Sequence, residues 1–244
     1  TSGSLADLGT LEFNEKGNFS QAFWINDQGR SIGVSTYNAL GASGEPLLKA
    51  VMWKDGKISD LGTLGGNQSF VQAINNRDQV VGWSLNLTPA STNIWEDYPF
   101  PFPAQQRAVL FENSAAVDLG TLGGPSAWAT DINENRQIIG QSFTAVATGK
   151  KNQADGWAFS RPMAGFIWEN GKMTDLGSLG GTWALPVRIN NRGQVIGNMT
   201  TKGDTSFHPF FWENGVLKDL GTFGGSIGRA YAINEAGEVA GGGC

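Results

Sequence analysis

The heptapeptide Asp-Leu-Gly-Thr-Leu-Gly-Gly occupies residues 60–66 and returns unchanged at residues 118–124. Copies at residues 175–181 and 219–225 each differ from it at one position, and a degenerate copy begins at Asp7. The first residues of successive copies are 53, 58, 57 and 44 residues apart. This spacing is typical of four-stranded propeller blades and exceeds that of leucine-rich or hexapeptide solenoids. The sequence therefore predicts one structural module used five times.

A second signature, Ile-Asn-x-x-x-x-[Val/Ile]-x-Gly, follows about fourteen residues after each aspartate. Its copies occupy residues 74–82, 132–140, 189–197 and 233–241, with a looser copy at 25–33. In the module beginning at Leu185, the pattern predicts strands at 186–190 and 194–199 around a tight turn at 191–193. Gly193 lies where such a turn requires positive φ. Each module therefore begins with a hairpin.

An apolar segment ending in an aromatic residue comes next in each complete module. The copies are Val51-Met52-Trp53, Val109-Leu110-Phe111, Phe166-Ile167-Trp168 and Phe210-Phe211-Trp212. An Asp-Gly or Asn-Gly turn follows three of them and predicts a return into a strand containing Asp-Leu-Gly-Thr-Leu. We name the four strand positions a, b, c and d. Because position c is apolar at consecutive residues, we expect neighbouring sheets to cover both of its faces.

These patterns predict an all-β fold: a β-propeller of five four-stranded blades, formed by residues 1–244 as one domain. The expected modules are 12–66, 67–124, 125–181, 182–225, and 226–244 together with 1–11. Residues 5–11 would supply strand d to the last module and thereby close the ring, which removes exposed sheet edges. Strand c of that closing blade has no counterpart in the sequence, so we expect either a longer chain or a short closing blade.

Composition excludes several kinds of partner. The net charge is −5 and the estimated pI is 4.9, with neither a basic stripe nor a basic amphipathic segment, which disfavours nucleic acid and anionic membrane. No apolar run is long enough to insert into a bilayer. The chain begins at Thr1 without a signal-like segment, so we expect a processed or excised product. Cys244 is the single cysteine, which excludes an internal disulfide and suggests an attachment thiol or a cut point.

The combination of Asp-Leu-Gly-Thr-Leu-Gly-Gly, Ile-Asn-x-x-Gly-x-Val-x-Gly and Phe-x-Trp-x-x-Gly, all in phase, resembles the HAF-repeat family of probable extracellular bacterial proteins. The resemblance covers essentially the whole chain. It implies an extracellular or cell-surface location and a repeat scaffold, with no defined activity. The His-Ala-Phe run that names the family is closest to His208-Pro209-Phe210, whereas the copies beginning at Lys49, Arg107 and Ala164 depart from it. The histidine therefore cannot be a required ligand in every blade.

The candidate binding surface is the face that carries the b–c and d–a connections. The b–c connections differ in length and are rich in aromatic residues, as ligand-contacting loops on a rigid scaffold often are. In one of them, at residues 93–106, three prolines restrict the backbone. That loop could contact a partner or plug the channel. The candidate contact residues in the connections on this face are Phe70, Trp95, Tyr98, Trp128, Trp157 and Trp183. Those in the d–a connections could cap the channel or stack on a ligand.

Signals for catalysis are few. His208 is the only histidine, and neither a nucleophile elbow nor a zinc-binding helix motif occurs. The glycine-rich heptapeptide lacks the Lys-Ser/Thr of a phosphate loop, and the repeated Asn is best explained as a turn residue. At the strand-a position before Ile-Asn, only Asp131 is acidic, and Arg188 occupies that position in the next module. We expect these two to form an ion pair that could also contact ligand. No catalytic residue, metal site or cofactor is predicted.

The residues therefore favour a non-catalytic module that binds carbohydrate or another surface component, and the family resemblance implies that it is extracellular. Exposed aromatic rings beside polar amides make sugars the leading ligand class. Two alternatives remain open at this point. One is a glycan-active enzyme, because some five-bladed glycoside hydrolases carry acids on the strands around the axis. The other is a structural surface protein or filament subunit that assembles with copies of itself.

Overall fold

The computed structural model describes residues 6–11, 18–41, 44, 46–89, 104–145 and 162–243. Four antiparallel sheets follow one another along the chain, and we call each a blade. The first blade contains β1 (Ser20–Ile25), β2 (Ser31–Leu40), β3 (Pro46–Lys54) and β4 (Lys57–Asp60). The second contains β5 (Gly65–Ile74), β6 (Val80–Pro89), β7 (Ala104–Glu112) and β8 (Ala115–Asp118).

The third blade contains β9 (Gly123–Ile132), β10 (Ile138–Thr144), β11 (Met163–Glu169) and β12 (Lys172–Asp175). The fourth contains β13 (Gly180–Ile189), β14 (Val195–Thr201), β15 (Phe207–Glu213) and β16 (Val216–Asp219). A single parallel bridge between Met163 and Trp183 joins these two blades. The last sheet has two strands, β17 (Gly228–Ile233) and β18 (Val239–Gly243). The all-β prediction and the a-b-c-d order of strands within a blade are thus confirmed.

Each blade packs face to face against the next through apolar side chains of strands a, b and c. Between the second and third blades, for example, Leu110 on β7 packs in one buried cluster with Phe166 and Trp168 on β11. Similar clusters join the first blade to the second and the third to the fourth. Trp53, Trp168 and Trp212 are all buried. The expectation that strand c is covered on both faces is therefore confirmed in the first three blades, whereas Phe211 in the fourth is partly exposed.

The heptapeptide lies mostly in the connection between blades, which corrects the prediction that it forms strand d. Strand d ends at the aspartate, because the carboxylate then accepts the backbone N–H two residues ahead and turns the chain out of the sheet. Asp60 Oδ1 accepts from Gly62 N at 2.7 Å, where φ is +86°. The same bond forms in the copies beginning at Asp7, Asp118, Asp175 and Asp219. In the second, third and fourth blades, strand a then begins at the Gly-Gly pair, earlier than expected.

The repeated asparagine closes the a–b turn and also bridges to the next blade. In the third blade, Asn133 Oδ1 accepts the N–H groups of Asn135 and Gln137, at 3.0 and 2.9 Å. Its Nδ2 donates to the backbone oxygen of Asn190 in the fourth blade at 2.9 Å. The turn role was predicted from sequence, whereas the bridge was not. Equivalent bridges run from Asn26 to Asn75, from Asn75 to Asn133, and from Asn190 to Asn234.

The first and last sheets of the described chain are more exposed than the sheets between them. β1 and β17–β18 expose much of their surface, including Trp24 and Ile25 on one side and Tyr231 on the other. Within the described residues no strand pairing joins the N-terminal segment to β18. Ring closure and the number of complete blades thus stay predictions. In the same residues, no helix has the length and apolar character needed to cross a membrane.

Candidate functional site

The structure separates the predicted site residues into two groups along the inner strands. Phe70 and Trp128 lie near the middle of β5 and β9, and Trp183 lies in the portion of β13 nearer the d–a connection. Asp131 and Arg188 each lie next to the last residue of their strand, beside the a–b turn. Trp128 and Asp131 are three residues apart, or roughly 10 Å along a strand. Trp95, Tyr98 and Trp157 fall outside the described residues, so their assignment stays a prediction.

Phe70 is the middle ring of a stack of three aromatic side chains. Its ring lies 5.2 Å from that of Phe23 on β1 and 5.9 Å from that of Trp83 on β6, with interplanar angles of 29° and 4°. Phe70 and Trp83 are directly opposite in the β5–β6 ladder, where cross-strand aromatic pairs stabilise a sheet. All three side chains are partly buried. The stack thus presents a fixed aromatic surface that spans two blades.

Trp128 and Trp183 pack mainly against the protein itself. Both contact the buried pair Phe143 and Met163. Trp128 Nε1 donates to Gln106 Oε1 at 2.7 Å, which fixes the orientation of the indole. The ring of Trp183 lies 5.4 Å from that of Phe207 in a tilted arrangement. Of the two roles considered for these residues, the packing role has direct support in these contacts.

Asp131 fastens the third blade to the fourth through backbone amides. Its carboxylate accepts the N–H of Ile132 at 3.0 Å and that of Ile189, in the next blade, at 3.1 Å. Burial raises the pKa of Asp131 to about 6, although the two amide bonds and the nearby Arg188 guanidinium act in the opposite sense. The direct partner of Arg188 Nη1 is the Val187 carbonyl oxygen, at 2.8 Å. The expected Asp131–Arg188 interaction is therefore electrostatic influence at a distance instead of a direct bond.

Arg188 also reaches an aromatic ring across the inner strands. Its guanidinium carbon lies 5.9 Å from the ring centre of Trp24 on β1, in the range of a cation–π contact. Trp24 is 47% exposed. Asp131, Arg188 and Trp24 form what we call the Asp131–Arg188–Trp24 group. It combines one carboxylate, one guanidinium and one exposed aromatic face, a set suited to holding a polar ligand that has an apolar face.

The Asp131–Arg188–Trp24 group offers one carboxylate, whereas retaining glycoside hydrolysis requires two about 5–5.5 Å apart. The two hydrogen bonds that the Asp131 carboxylate accepts come from backbone amides, which suits a structural role. In the described ranges, no group of three or more His, Cys, Asp or Glu side chains could hold a metal ion. The arrangement supports binding better than acid–base chemistry.

The raised pKa of Asp131 predicts a pH-dependent stability. The folded state holds the Asp131 proton more tightly than the unfolded state does, since its pKa of about 6 exceeds the ordinary value of 3.8. Protonated Asp131 therefore stabilises the folded state fully below about pH 4, and this stabilisation is lost as the pH rises through about 6. The total is roughly 3 kcal/mol. We expect the unfolding free energy of Asp131→Asn, relative to wild type, to rise by up to that amount between pH 4 and pH 7. A difference that stays constant in urea titrations across this range would contradict the prediction.

The histidine position of the repeat has a structural role. His208 Nδ1 lies 2.9 Å from Asp219 Oδ2, and the residues at the same position in two other blades form the same contact. Lys49 Nζ lies 2.6 Å from Asp60, and Arg107 Nε lies 3.1 Å from Asp118. The third blade has Ala164 there. A basic side chain on strand c thus pairs with the heptapeptide aspartate, which explains why His, Lys and Arg interchange.

Sequence reasoning missed Phe23, Trp83 and Gln106 as parts of this region. The pairing of Trp83 with Phe70 could have been predicted from the sequence. Counting along the hairpin from the Ile74–Val80 pair places the two residues opposite each other once one bulge is allowed. Phe23 and Gln106 come from other hairpins, and no local pattern predicts their contacts.

No family model and no curated protein match the chain. Among solved structures, it is similar to the β-propeller domain of the Trilobed protease from Pyrococcus furiosus, described as having an open velcro topology. The TM-score is 0.51 and the sequence identity 11%, over 85% of this chain and 53% of that one. The chain thus spans about half the length of that structure. The similarity shows that the fold is an all-β propeller, and it carries no inference about activity.

Proposed function

We propose that the protein is a non-catalytic binding module that recognises a carbohydrate or another extracellular surface component. The observation that carries the proposal is the stack of Phe23, Phe70 and Trp83, held by three strands of two blades. Rings fixed in this way contact a sugar without losing side-chain entropy on binding. Phe70 lies near the middle of β5 and Trp83 in the first half of β6, so assigning the stack to the face of the b–c and d–a connections is part of the proposal and rests on the sequence.

The extracellular location is part of the proposal and rests on the resemblance to the HAF-repeat family. The long b–c connections, which include Trp95, Tyr98 and Trp157, would extend the same surface. A glycan-cleaving enzyme is the rival proposal, and a self-assembling surface subunit is the third. Asp131 supports binding over cleavage, because two backbone amides already use its carboxylate.

A glycan array combined with product analysis on the same sugars distinguishes these three proposals. We expect sugars to be retained intact. Released products would replace the proposal with an enzyme. Absence of binding together with growth of particle size in light scattering would favour the self-assembling subunit.

Phe70→Leu tests the stack itself. Leucine keeps apolar packing but removes the flat ring, so we expect sugar affinity to fall at least tenfold, or roughly 1.4 kcal/mol, with a small change in melting temperature. Phe223→Leu is the matched control, because Phe223 is an exposed aromatic residue outside the stack. Equal affinity in the Phe70→Leu variant and wild type, measured by calorimetry, would show that the stack is not the contact surface.

The complete ring of five blades also belongs to the proposal. Leu11 N donates to Ser35 Oγ at 3.0 Å. Leu64 N bonds Ser84 and Leu122 N bonds Ser142 in the same way, so the N-terminal copy docks on the first blade as the others dock on theirs. The heptapeptides that contain Leu64 and Leu122 directly follow strand d of the preceding blade. By this analogy the last module precedes the first blade in the ring, and residues 5–11 supply its strand d.

Hydrogen exchange tests this closure. If residues 5–11 pair with the last module, deleting residues 1–11 should make the amides of β17 and β18 exchange faster while those of β9 and β10 remain protected. Unchanged exchange in β17 and β18 would contradict closure even if the melting temperature fell, because the deletion also removes the Leu11–Ser35 bond.

A further inference from the structure

A polar cleft lies between the first and second blades, beside the a–b and c–d turns of the second. Its volume is about 430 Å³, within the range of pockets that hold small ligands. Met52, Leu61 and Phe111 form its apolar part. Most of the remaining lining is polar or charged and comes from both blades. The cleft does not include the aromatic stack around Phe70, so it is a separate candidate site.

The repeat shows why this interface leaves a space. Phe111 and Asp78 hold the repeat positions of Trp168 and Arg136 in the third blade. In the third blade the two larger side chains pack together, with the Arg136 guanidinium carbon 5.1 Å from the ring centre of Trp168. In the second blade both positions have smaller side chains. Leu61 beside them stays partly exposed, whereas its counterparts after the second and third heptapeptide aspartates are buried.

Two residues with positive φ line the polar cleft at positions where most modules have glycine. Ser114 has a φ of +62° in the c–d turn, where the other three blades have Gly56, Gly171 and Gly215. Asp78 has a φ of +59° in the a–b turn, where the first, fourth and last modules have glycine. Among the four blades, only the second has a side chain at both turns. Such conformations disfavour residues other than glycine and concentrate at ligand sites.

The charges of the polar cleft leave one cation without a partner. Each of its three carboxylates already has a cationic partner within the protein. The pairs are Asp60–Lys49, Asp78–Lys54 and Glu112–Arg136, and Arg30, which also approaches Asp78, pairs with Asp55. Arg77 also lines the cleft, is exposed, and forms no ion pair with the described residues. The cleft therefore matches a ligand with a single negative charge.

We propose that the polar cleft binds a uronic acid, a sugar ring that carries one carboxylate. Arg77 holds the carboxylate, since a guanidinium recognises this group through paired N–H donors. The hydroxyl groups of the sugar donate to the carboxylates of the walls and accept from the exposed side chains of Asn113 and Ser114. The apolar part of the cleft covers the C–H face of the ring. A dianion such as phosphate fits less well, because the wall carboxylates repel its second charge.

Sodium glucuronate is the probe. Titrated into the isotope-labelled full chain at constant ionic strength, it should cause saturable NMR shifts of the backbone amides of residues 77–79 and 113–115. Glucose lacks the carboxylate and acetate lacks the ring, so each should bind at least tenfold more weakly. Absence of saturable shifts at these amides overturns the proposal. Phosphate that binds more tightly than glucuronate also overturns it, because the ligand class would then be a dianion.

Arg77→Gln removes the unpaired cation and should weaken glucuronate binding at least tenfold. Arg192→Gln is the matched control, because Arg192 holds the same position in the fourth blade, is also exposed and changes the net charge equally. Its affinity should stay within twofold of wild type. Equal losses in the two variants would mean that net charge attracts the anion, and this result overturns the proposal.

Ser114→Gly restores the glycine of the other c–d turns. We expect its melting temperature to equal or exceed that of wild type, while glucuronate affinity falls at least threefold because a hydroxyl partner is lost. Unchanged affinity in both Arg77→Gln and Ser114→Gly overturns the proposal. Phe70→Leu should leave glucuronate binding at the cleft intact, so this site and the aromatic stack fail independently. Loss of glucuronate binding in Phe70→Leu would assign the sugar to the stack and overturn the cleft as its site.

Discussion

Gly140→Ala is expected to disrupt the third blade and to destabilise the molecule by more than about 4 kcal/mol. A Cβ at this position would lie 2.0 Å from the Trp128 carbonyl oxygen, 2.7 Å from the Phe166 ring and 2.8 Å from Ala129 Cα. Two of these atoms belong to the backbone of β9, so relief requires β9 and β10 to separate. Overpacking that cannot be absorbed by side-chain rotation carries the largest costs.

The matched control is Gly242→Ala. Gly242 has no positive φ, and an added Cβ would find its nearest atom, Tyr231 Cε2, at 4.0 Å. We expect this substitution to change the unfolding free energy by less than about 1 kcal/mol. For a chain of this size, the predicted loss at Gly140 corresponds to a fall in melting temperature of roughly 10 °C or more. A Gly140→Ala protein that melts within about 2 °C of wild type would show that the β9–β10 contact adapts.

The reason for this glycine is a bulge that sequence patterns did not reveal. The β9–β10 register shifts between Ile139 and Gly140, so Thr130 has no direct partner and the Trp128 carbonyl approaches Gly140 closely. The last glycine of the Ile-Asn signature faces the same close carbonyl in every module. These glycines are Gly33, Gly82, Gly140, Gly197 and Gly241. The sequence thus revealed where a glycine recurs, and only the register of the paired strands explained why.

Elements with strictly local causes were predictable from sequence. The a–b hairpins, the c–d turns and the apolar strand c follow from turn residues and hydrophobic patterning within one module. The bounds of strands a and d were wrong, because Asp60 and its counterparts turn the chain through their own carboxylates, so strand d ends four residues earlier than the apolar pattern suggested. A short polar bond therefore outweighed the hydrophobic pattern at that point.

The candidate site was less predictable because its parts come from different modules. Asp131 and Arg188 were found because they hold the same repeat position in adjacent modules. Their actual partners, the Ile189 amide and the Val187 carbonyl, are backbone groups that no residue pattern identifies. Phe23 joins the Phe70 stack across two blades, which depends on how the sheets rotate against each other. Packing between modules, rather than propensity within one, determines these contacts.

Replacing a bridging asparagine is expected to cause the second large loss of stability. The repeat offers a comparison, because the same asparagine occurs between blades at Asn133 and in the last sheet at Asn234. Asn133→Ala removes the buried bond to the Asn190 carbonyl and leaves the partly buried N–H groups of Asn135 and Gln137 without their acceptor. Unmet buried polar groups cost about 1–3 kcal/mol each, partly relieved by water, so we expect a loss of roughly 3 kcal/mol in urea denaturation.

Asn234→Ala is the control that isolates the bridge. Asn234 makes the same turn, with its Oδ1 accepting from Glu238 N at 2.9 Å, but it is exposed, and its Nδ2 donates to the Glu238 carboxylate at 2.6 Å. Water can replace these bonds, so the expected loss is about 1 kcal/mol or less. Equal losses in the two variants would mean that the turn alone matters. A larger loss at Asn133 would show that the bridges between blades, and not only their apolar faces, hold the array together.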